Sequence, residues 1–177
     1  SSDVCSSDLQ GEDIAAQKDV PRSRLRLSQF GFVFQDGQLI PELPARENVA
    51  LPLVLTGTLL PKALKRADQL LSQLGLSELK KRRPGDMSGG QAQRVAIARA
   101  LIGNPKVVFA DEPSGALDQA TGYEMMETLT REVHRCGAAL VLVTHDINVA
   151  QWCSRLIEIR DGQIHSDRAL APQSRRA

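Results

Sequence analysis

Residues 87–112 read MSGGQAQRVAIARALIGNPKVVFADE, and this stretch decides the fold. Ser88 is a favourable N-cap for a helix that the Asn104-Pro105 pair ends. Residues 107–110 are entirely apolar, which is typical of a strand in a parallel sheet covered by helices on both faces. The apolar residues of the helix recur at helical spacing: Val95, Ala98, Leu101 and Ile102.

Strands and helices alternate on either side of this stretch. The predicted elements are a strand over 29–34, a helix over about 120–134, a buried strand over 138–143, and a hairpin of 154–160 and 163–165 around Asp161-Gly162. This alternation predicts an α/β layered domain.

Residues 41–84 form a predicted helical insertion in this core. Prolines punctuate its first half, where loops and short helices are expected. Residues 61–74 have the spacing of an amphipathic helix. Its apolar face consists of Leu64, Ala67, Leu70, Leu71 and Leu74.

The two ends of the chain differ in composition from the domain. Residues 1–10 repeat Ser-Ser-Asp without any apolar period, so a non-native leader or a disordered terminus is predicted there. Residues 11–166 are the predicted domain, and residues 167–177 are expected to be a disordered tail.

Composition narrows the function classes. The 177 residues suffice for one domain, with 42% hydrophobic and 24% charged residues. A net charge of +1 creates no strong field for nucleic acid. No apolar run approaches the roughly 20 residues that cross a bilayer, so any link to a membrane is expected to go through a partner protein. The three cysteines match no zinc pattern and, being odd in number, no disulfide framework.

Two adjacent carboxylates follow the strand at 107–110. Ligands bind at the carboxyl ends of the strands in open α/β sheets. Asp111 is therefore a candidate Mg²⁺ ligand, and Glu112 is a candidate base for the water that attacks a phosphate. A strand end followed by a helix N-cap is the alternative for this pair.

The glycines at 89 and 90 begin the helix after Ser88. A helix start with little side-chain bulk lets a phosphate approach the exposed N–H groups and the positive end of the dipole. The alternative is a glycine-containing loop before an ordinary capped helix.

Taken together, these patterns resemble the motifs of ATP-binding-cassette (ABC) ATPases. The matching segments are 87–91 and the helix after it (signature motif), 111–113 (Walker B and catalytic glutamate), 114–118 (D-loop), 143–146 (switch histidine) and Phe34-Gln35 (Q-loop). Their order and spacing agree with the family over about residues 11–165.

The resemblance implies a P-loop NTPase-type (RecA-like) core with an inserted helical subdomain, and an ATPase that uses ATP and Mg²⁺. Glu112, His145 and Gln35 would take part in catalysis. Asp111 and Gln35 would bind the metal. A lone histidine after a strand is more often a packing or surface residue, but the neighbouring Thr144 and Asp146 favour the switch role. The residues implied to bind nucleotide are Ser88, Gly89, Gly90, Gln91 and Asp118.

The resemblance also implies partners and a location. Family members work as head-to-tail homodimers or heterodimers, in which each signature motif completes the partner's site. They lie peripherally at the cytoplasmic face of the inner or plasma membrane, bound to a transmembrane permease subunit. No nucleic acid is implied.

Two features depart from the family pattern. Met87 replaces the usual leucine, a change that conserves volume. More seriously, the P-loop needs Gly-x-x-x-x-Gly-Lys-Ser/Thr, and none of the 13 glycines here is followed by lysine. We therefore expect the first core strands and the P-loop to be missing, and the chain to be inactive alone.

The neighbourhood of Gln35 suggests one branch of the family. Residues 31–35, 39–41 and 47–53 are similar to subunits of the lipoprotein-releasing and macrolide-exporter type, and to the related cell-division ATPase. The first hypothesis is a transport ATPase that drives export or lipoprotein extrusion. The alternatives are a non-transport ABC ATPase of the cell-division type and a non-catalytic fragment. Repair-type and translation-type members fit poorly, since residues 36–87 leave no room for a long coiled coil and only one cassette is present.

Overall fold

The structure is a computed structural model, and it describes residues 8–9 and 11–170. The strands are β1 (Asp8–Leu9), β2 (Glu12–Asp13), β3 (Phe30–Phe34), β4 (Val107–Asp111), β5 (Ala139–Val143), β6 (Arg155–Arg160) and β7 (Gln163–Ala169). The helices are α1 (Asp19–Gln29), α2 (Ala45–Leu55), α3 (Leu60–Gln73), α4 (Gly89–Leu101), α5 (Gln119–Arg135) and α6 (Ile147–Ala150), with short 3₁₀ turns at Ser77–Leu79 and Pro84–Asp86.

The centre of the fold is a parallel sheet with the strand order β3-β4-β5. Its register aligns Phe34, Asp111 and Val143 in one row across the three strands. The strands therefore end together, and the residues that follow them emerge at a single edge of the sheet. The predicted α/β class is confirmed.

One face of the sheet packs against α4 and α5. Val33, Val108 and Ala110 point into this layer and are fully or almost fully buried. They join the helix residues Ile97 and Leu129 in one apolar core. Burial of this apolar surface stabilises the sheet by about 25 cal/mol per Å².

The opposite face of the sheet is not covered by the described residues. Phe32, Val141 and Val143 are 36%, 43% and 58% exposed. The prediction of a sheet covered on both faces, with 138–143 as a buried strand, is therefore wrong for this part of the chain. Successive side chains of a strand point to opposite faces, and helices α4 and α5 cover only one of them. The aromatic rings on the open side stack on one another, with 5.5 Å between the ring centroids of Phe32 and Phe109.

The predicted amphipathic helix is present as α3. Ala67 and Leu71 on its apolar face are fully buried. Helix α3 packs on α2, which in turn packs on α4, so these helices form a layer beside the sheet. An ion pair between the guanidinium of Arg46 and the carboxylate of Asp68, at 2.6 Å, joins α2 to α3.

The predicted hairpin is also present. Strands β6 and β7 pair in antiparallel fashion around Asp161 and Gly162, which both have positive φ, at 50° and 75°. Two consecutive positive φ values are the signature of a type I′ turn, which Asp-Gly favours.

Strand β7 extends further than the sequence predicts. Residues 167–169 belong to it, so the expectation of a disordered tail from residue 167 is wrong for these three positions. The reason is pairing across the hairpin: Ile157 aligns with Asp167, whose carboxylate accepts a 2.8 Å hydrogen bond from Nε of Arg155. Residues 171–177 lie outside the described residues, as do residues 1–7 and 10 of the predicted leader.

Helix α1 is not predicted by the sequence patterns. Its residues are mostly polar, and none of them is fully buried. A helix without a buried stripe lacks the periodic signal on which prediction depends. Among the described helices, none is long and apolar enough to cross a membrane.

Candidate functional site

Three proposed site residues follow the ends of the parallel strands. Gln35 follows β3, Glu112 follows β4, and His145 lies two residues after β5. The aligned register places these segments side by side. The structure therefore gathers at one edge of the sheet side chains that are far apart in sequence.

Glu112 is held by the segment after β5. Its carboxylate accepts hydrogen bonds from the backbone N–H of His145 at 2.8 Å and from the hydroxyl of Thr144 at 3.1 Å. The ring Nδ1 of His145 also contacts the same carboxylate. The backbone N–H of Glu112 donates to the carbonyl of Val143 at 2.9 Å.

The backbone of Glu112 is in the left-handed region, with φ at 43°. A residue with a Cβ pays of order 1–3 kcal/mol for this conformation, which persists only where the surroundings hold it. Here the hydrogen bonds to residues 143–145 hold it. Strained residues of this kind cluster at functional sites.

The electrostatics favour an ionised carboxylate. Partial burial raises the pKa of Glu112, but the hydrogen bonds from the side chain and backbone of His145, and from Thr144, outweigh it and leave the pKa below its usual value. Because the carboxylate can only accept, Nδ1 of His145 must carry a proton in this contact. The His145 side chain is otherwise 87% exposed, so its ring has access to a ligand.

Gln35 lies against the loop after Glu112. A Cβ placed on Gly115 would be 3.0 Å from Nε2 of Gln35, so the glycine leaves space for this side chain. The backbone N–H of Gly115 donates to the carbonyl of Glu112 at 2.9 Å. The Q-loop and D-loop segments are thus in contact.

Asp111 ends β4 and is exposed beside Gln35 and Glu112. Within residues 8–9 and 11–170, no cluster of three or more His, Cys, Asp or Glu side chains could enclose a metal. One free carboxylate and one amide oxygen fit Mg²⁺, which keeps several waters and takes its other ligands from phosphates.

The second group of proposed residues surrounds the start of α4. Ser88 and Gln91 form a capping box: the Ser88 hydroxyl accepts from the N–H of Gln91 at 3.3 Å, and the N–H of Ser88 donates to Oε1 of Gln91 at 3.0 Å. A Cβ on Gly90 would be 2.6 Å from the methyl group of Thr121 in α5. Asp118 caps α5 by accepting from the N–H of Thr121 at 3.0 Å. The helix starts of α4 and α5 therefore lie together.

The capping box leads to a stability prediction. Ser88→Ala removes the hydroxyl acceptor and should lower the free energy of unfolding by about 1 kcal/mol. Ser88→Thr keeps an acceptor and should lose only a few tenths of a kcal/mol. Urea denaturation of the 177-residue chain measures both variants. Equal losses in the two variants would show that the cap does not stabilise α4.

The family model described as ABC transporter matches residues 6–115, which is more than half of the chain. The chain belongs to the ABC transporter family. The sheet edge and the capped start of α4 are therefore parts of an ABC ATPase domain. ABC ATPases as a family bind ATP with Mg²⁺.

Curated relatives of this ABC chain include proteins that are named as export ATP-binding/permease proteins. It is 48% identical over 160 residues to a macrolide export ATP-binding/permease protein, MacB, of Bradyrhizobium diazoefficiens, covering 90% of this chain and 24% of the relative. It is 46% identical over 163 residues to a probable syringafactin export ATP-binding/permease protein of Pseudomonas syringae pv. tomato, covering 92% and 24%. The chain thus spans about a quarter of the length of the curated relatives it matches. The macrolide-exporter branch indicated by the sequence is confirmed.

Solved ABC structures share the fold. The dimeric, ADP- and Pi-bound ATP-binding cassette MJ0796 matches with a TM-score of 0.79 and 38% identity, covering 92% of this chain and 72% of that one. The protein cbiO1 of Clostridium perfringens, part of the ABC transporter complex cbiONQ, matches with a TM-score of 0.79 and 29% identity, covering 90% and 64%. The predicted P-loop NTPase-type fold is therefore confirmed.

Two residues of the ABC signature helix support the site and are missed by sequence reasoning. Nε2 of Gln93 donates to the carbonyl of Phe34 at 2.7 Å and to that of Pro113 at 2.9 Å. The guanidinium of Arg99 donates to the carbonyls of Gly37 at 2.7 Å and Gln38 at 2.6 Å, and burial lowers its pKa. Gln93 lies on the same buried stripe of α4 as Gly90 and Ile97. A polar residue within an apolar stripe is the sequence signal that could have indicated its supporting role.

Asn48 is the third supporting residue, and it lies in α2. It is fully buried, and its amide exchanges hydrogen bonds with the backbone N–H and carbonyl of Ile40, at 2.7 and 3.0 Å. It also donates to the carbonyl of Leu43 at 2.8 Å. Asn48 thereby fixes the loop that leads from Gln35 to the helical layer.

Proposed function

We propose that this chain is the ATP-hydrolysing part of an export-type ABC transporter. The observation that supports this most is the Glu112 carboxylate, which Thr144 and His145 hold at the edge of the sheet. This is the position from which a base can act on a ligand bound at the ends of parallel strands.

Glu112 is the proposed general base. A water molecule attacks the γ-phosphorus, one of its protons passes to the Glu112 carboxylate, and the bond from phosphorus to the ADP oxygen breaks. His145 is placed to contact the phosphoryl oxygens because most of its ring is exposed, and with both ring nitrogens protonated it would donate to them from Nε2 while Nδ1 donates to Glu112. Asp111 and Gln35 would hold Mg²⁺, which neutralises charge on the phosphates when bound.

The start of α4 is the proposed site for a second cassette's nucleotide. The backbone N–H groups of Gly89 and Gly90 lie in the first turn, where anions are favoured. The hydroxyl of Ser88 and the amide of Gln91 flank them, and Asp118 caps the adjacent helix. Since these groups are separate from the Glu112 edge, we propose that they act across a head-to-tail dimer.

The phosphate cradle is the component that these residues do not provide. No glycine of the chain precedes a lysine, so the P-loop motif is absent from the 177 residues. Without its backbone N–H groups and lysine, Glu112 has no positioned phosphate on which to act. We therefore propose that this chain alone is inactive, and that residues outside it supply the cradle.

A groove beside Gln35 is the proposed contact for the transmembrane permease. Its volume is about 460 Å³, and it runs along the edge of β3 between α1, α2 and the end of α4. Phe34, the neighbour of Gln35, lines it together with Leu51, Pro52 and Arg26. An apolar segment of the permease that carries an acidic residue would match the apolar lining and the charge of Arg26. Contact there would place the chain peripherally at the cytoplasmic face of the membrane.

The experiment compares two proteins. The first is the 177-residue chain, and the second, the Walker A-extended chain, carries a segment with the Gly-x-x-x-x-Gly-Lys-Ser/Thr motif ahead of residue 11. We expect Mg-ATP binding and turnover in the extended chain only. The control is the same extension with its motif lysine replaced by alanine.

The outcomes distinguish an ATPase from a non-catalytic chain. An extended chain that neither binds nor hydrolyses ATP would contradict the ATPase assignment and favour a non-catalytic role. Hydrolysis by the 177-residue chain itself would show that the cradle is not required. A cell-division role would leave the ATPase results unchanged.

A further inference from the structure

The buried amide of Gln93 bonds to the backbone on both sides of the site. Its Nε2 donates to the carbonyl of Phe34, which directly precedes Gln35, and to the carbonyl of Pro113, which directly follows Glu112. These partners are 59 and 20 residues away in sequence. One side chain thus joins the segment after β3 to the segment after β4.

The chemistry of the amide makes this arrangement specific. A carboxamide nitrogen has two hydrogens, and each is matched to one carbonyl. The amide oxygen of Gln93 could not replace its nitrogen here, because the two backbone carbonyls are acceptors and need a donor. Gln93 is 3% exposed, so water does not compete for these bonds. Loss of the amide would leave two carbonyls without this donor.

The carbonyls that Gln93 binds belong to two tight turns. The carbonyl of Phe34 also accepts from the N–H of Gly37 at 3.0 Å, and the carbonyl of Glu112 accepts from the N–H of Gly115 at 2.9 Å. Gln93 therefore anchors the turn that carries Gln35 and the turn that begins at Glu112.

A second residue of α4 holds the far side of the first turn. Arg99 donates to the carbonyls of Gly37 and Gln38. Gln38 has a positive φ of 43°, which is unfavourable for a residue with a Cβ, so the turn needs external support. The turn that carries Gln35 is attached to α4 at both ends, and α4 starts at Ser88 and Gly89.

We infer that Gln93 is a positioning residue that sets the placement of Gln35 relative to Glu112 and couples both to the start of α4. It does not touch the nucleotide. Its effect on turnover rests on the proposed function, whereas its effect on the two turns is a property of this chain alone.

The first measurement uses the wild-type 177-residue chain. Both side-chain amide protons of Gln93 should exchange with solvent at least about 10-fold more slowly than those of Gln73, which is exposed at the end of α3. Equal exchange at the two glutamines would overturn the inference without any variant having to fold.

The second measurement uses Gln93→Met, which keeps length and apolar volume but cannot donate. In the 177-residue chain, protection of the Gly37 and Gly115 amides should fall by about 10-fold, while the amides of α3 stay protected. Gln73→Met is the matched control and should change neither turn. Unchanged protection at both turns in Gln93→Met would contradict the inference.

The third measurement uses the Walker A-extended chain. Gln93→Met should lower kcat by about 10-fold or more, because small misplacements of reacting groups are costly, while KM for ATP stays within about 2-fold. A rise in KM with unchanged kcat would indicate a binding role instead and overturn the positioning role. If the wild-type extended chain is itself inactive, the proposed function fails, and the exchange measurements still decide the structural part.

Discussion

Glu112→Gln in the Walker A-extended chain should lower ATP turnover by a factor of about 10² to 10⁴ while Mg-ATP binding persists. At about 1.36 kcal/mol for each tenfold change, this corresponds to about 2.7–5.4 kcal/mol of transition-state stabilisation. An amide has almost no basicity at neutral pH, so it cannot take the proton of the attacking water. This is the largest functional effect that the structure leads us to expect.

The amide should preserve the site around it. Its oxygen can still accept from the backbone N–H of His145, and its nitrogen can donate to the hydroxyl of Thr144, which both donates and accepts. Nδ1 of His145 contacts the same oxygen as the backbone N–H, so the amide oxygen keeps both contacts. A loss of turnover would therefore report on chemistry and not on folding.

The matched control is Glu124→Gln, at an exposed position on α5. It removes the same charge and should leave turnover within about 2-fold of the wild type, since an exposed surface charge contributes little. Nucleotide binding to each variant is measured alongside turnover. Full turnover in Glu112→Gln would assign the base to another residue, and lost binding would mean that the carboxylate positions the nucleotide.

Gly31→Ala should lower the free energy of unfolding by about 3 kcal/mol, the upper end of the usual cost of overpacking. A Cβ at this position would be 2.4 Å from the carbonyl oxygen of Ala100 and 3.0 Å from its carbonyl carbon. These are backbone atoms of α4, so no side-chain rotation can relieve the clash. Strand β3 and helix α4 would have to move apart, and Val33 and Ile97 would lose part of their contact with the core.

Gly103→Ala is the control for this variant. No atom lies within 4 Å of a Cβ placed there, so the same added methyl group should change stability by less than about 0.5 kcal/mol. Urea denaturation of the 177-residue chain gives both values. Similar stability of the two variants would show that β3 and α4 are less closely packed than in the structure.

Much of the fold could be predicted from local sequence. The strand over 107–111, the helix after Ser88 and the hairpin at Asp161-Gly162 depend on apolar runs, caps and turn residues that are close together in the chain. Helix α1 could not be predicted, because it buries no stripe. Its contacts are with β3 and α2, which lie after it in the chain.

The coverage of the sheet could not be predicted. An apolar strand such as 139–143 has the same composition whether one face or both are buried. Exposure depends on which helices pack on which side, and α4 and α5 both pack on the same side. In the same way, residues 167–169 have no strand pattern of their own and become a strand by pairing with β6.

Part of the proposed site could also be predicted from the sequence, and part could not. Gln35, Asp111, Glu112 and His145 could be named from their motifs, because each motif is a short run of residues with its own spacing. The rule that ligands bind at the carboxyl ends of the strands predicted a site edge for Asp111 and Glu112, and the register of the strands brings Gln35 and His145 to the same edge. The supporting bonds of Gln93, Arg99 and Asn48 had no motif to mark them.

The sequence by itself determined the α/β class, the family, the main helices and strands, and the residues that are candidates for chemistry, because these depend on short-range patterns. Only the tertiary structure decided that Glu112 is bound by Thr144 and His145, that one face of the sheet is open, and that Gln93 joins two turns from outside both. These contacts link residues 20 to 59 positions apart. Short-range patterns do not specify such contacts, because the pairing of β4 with β5 and the packing of α4 against the strands bring these groups together.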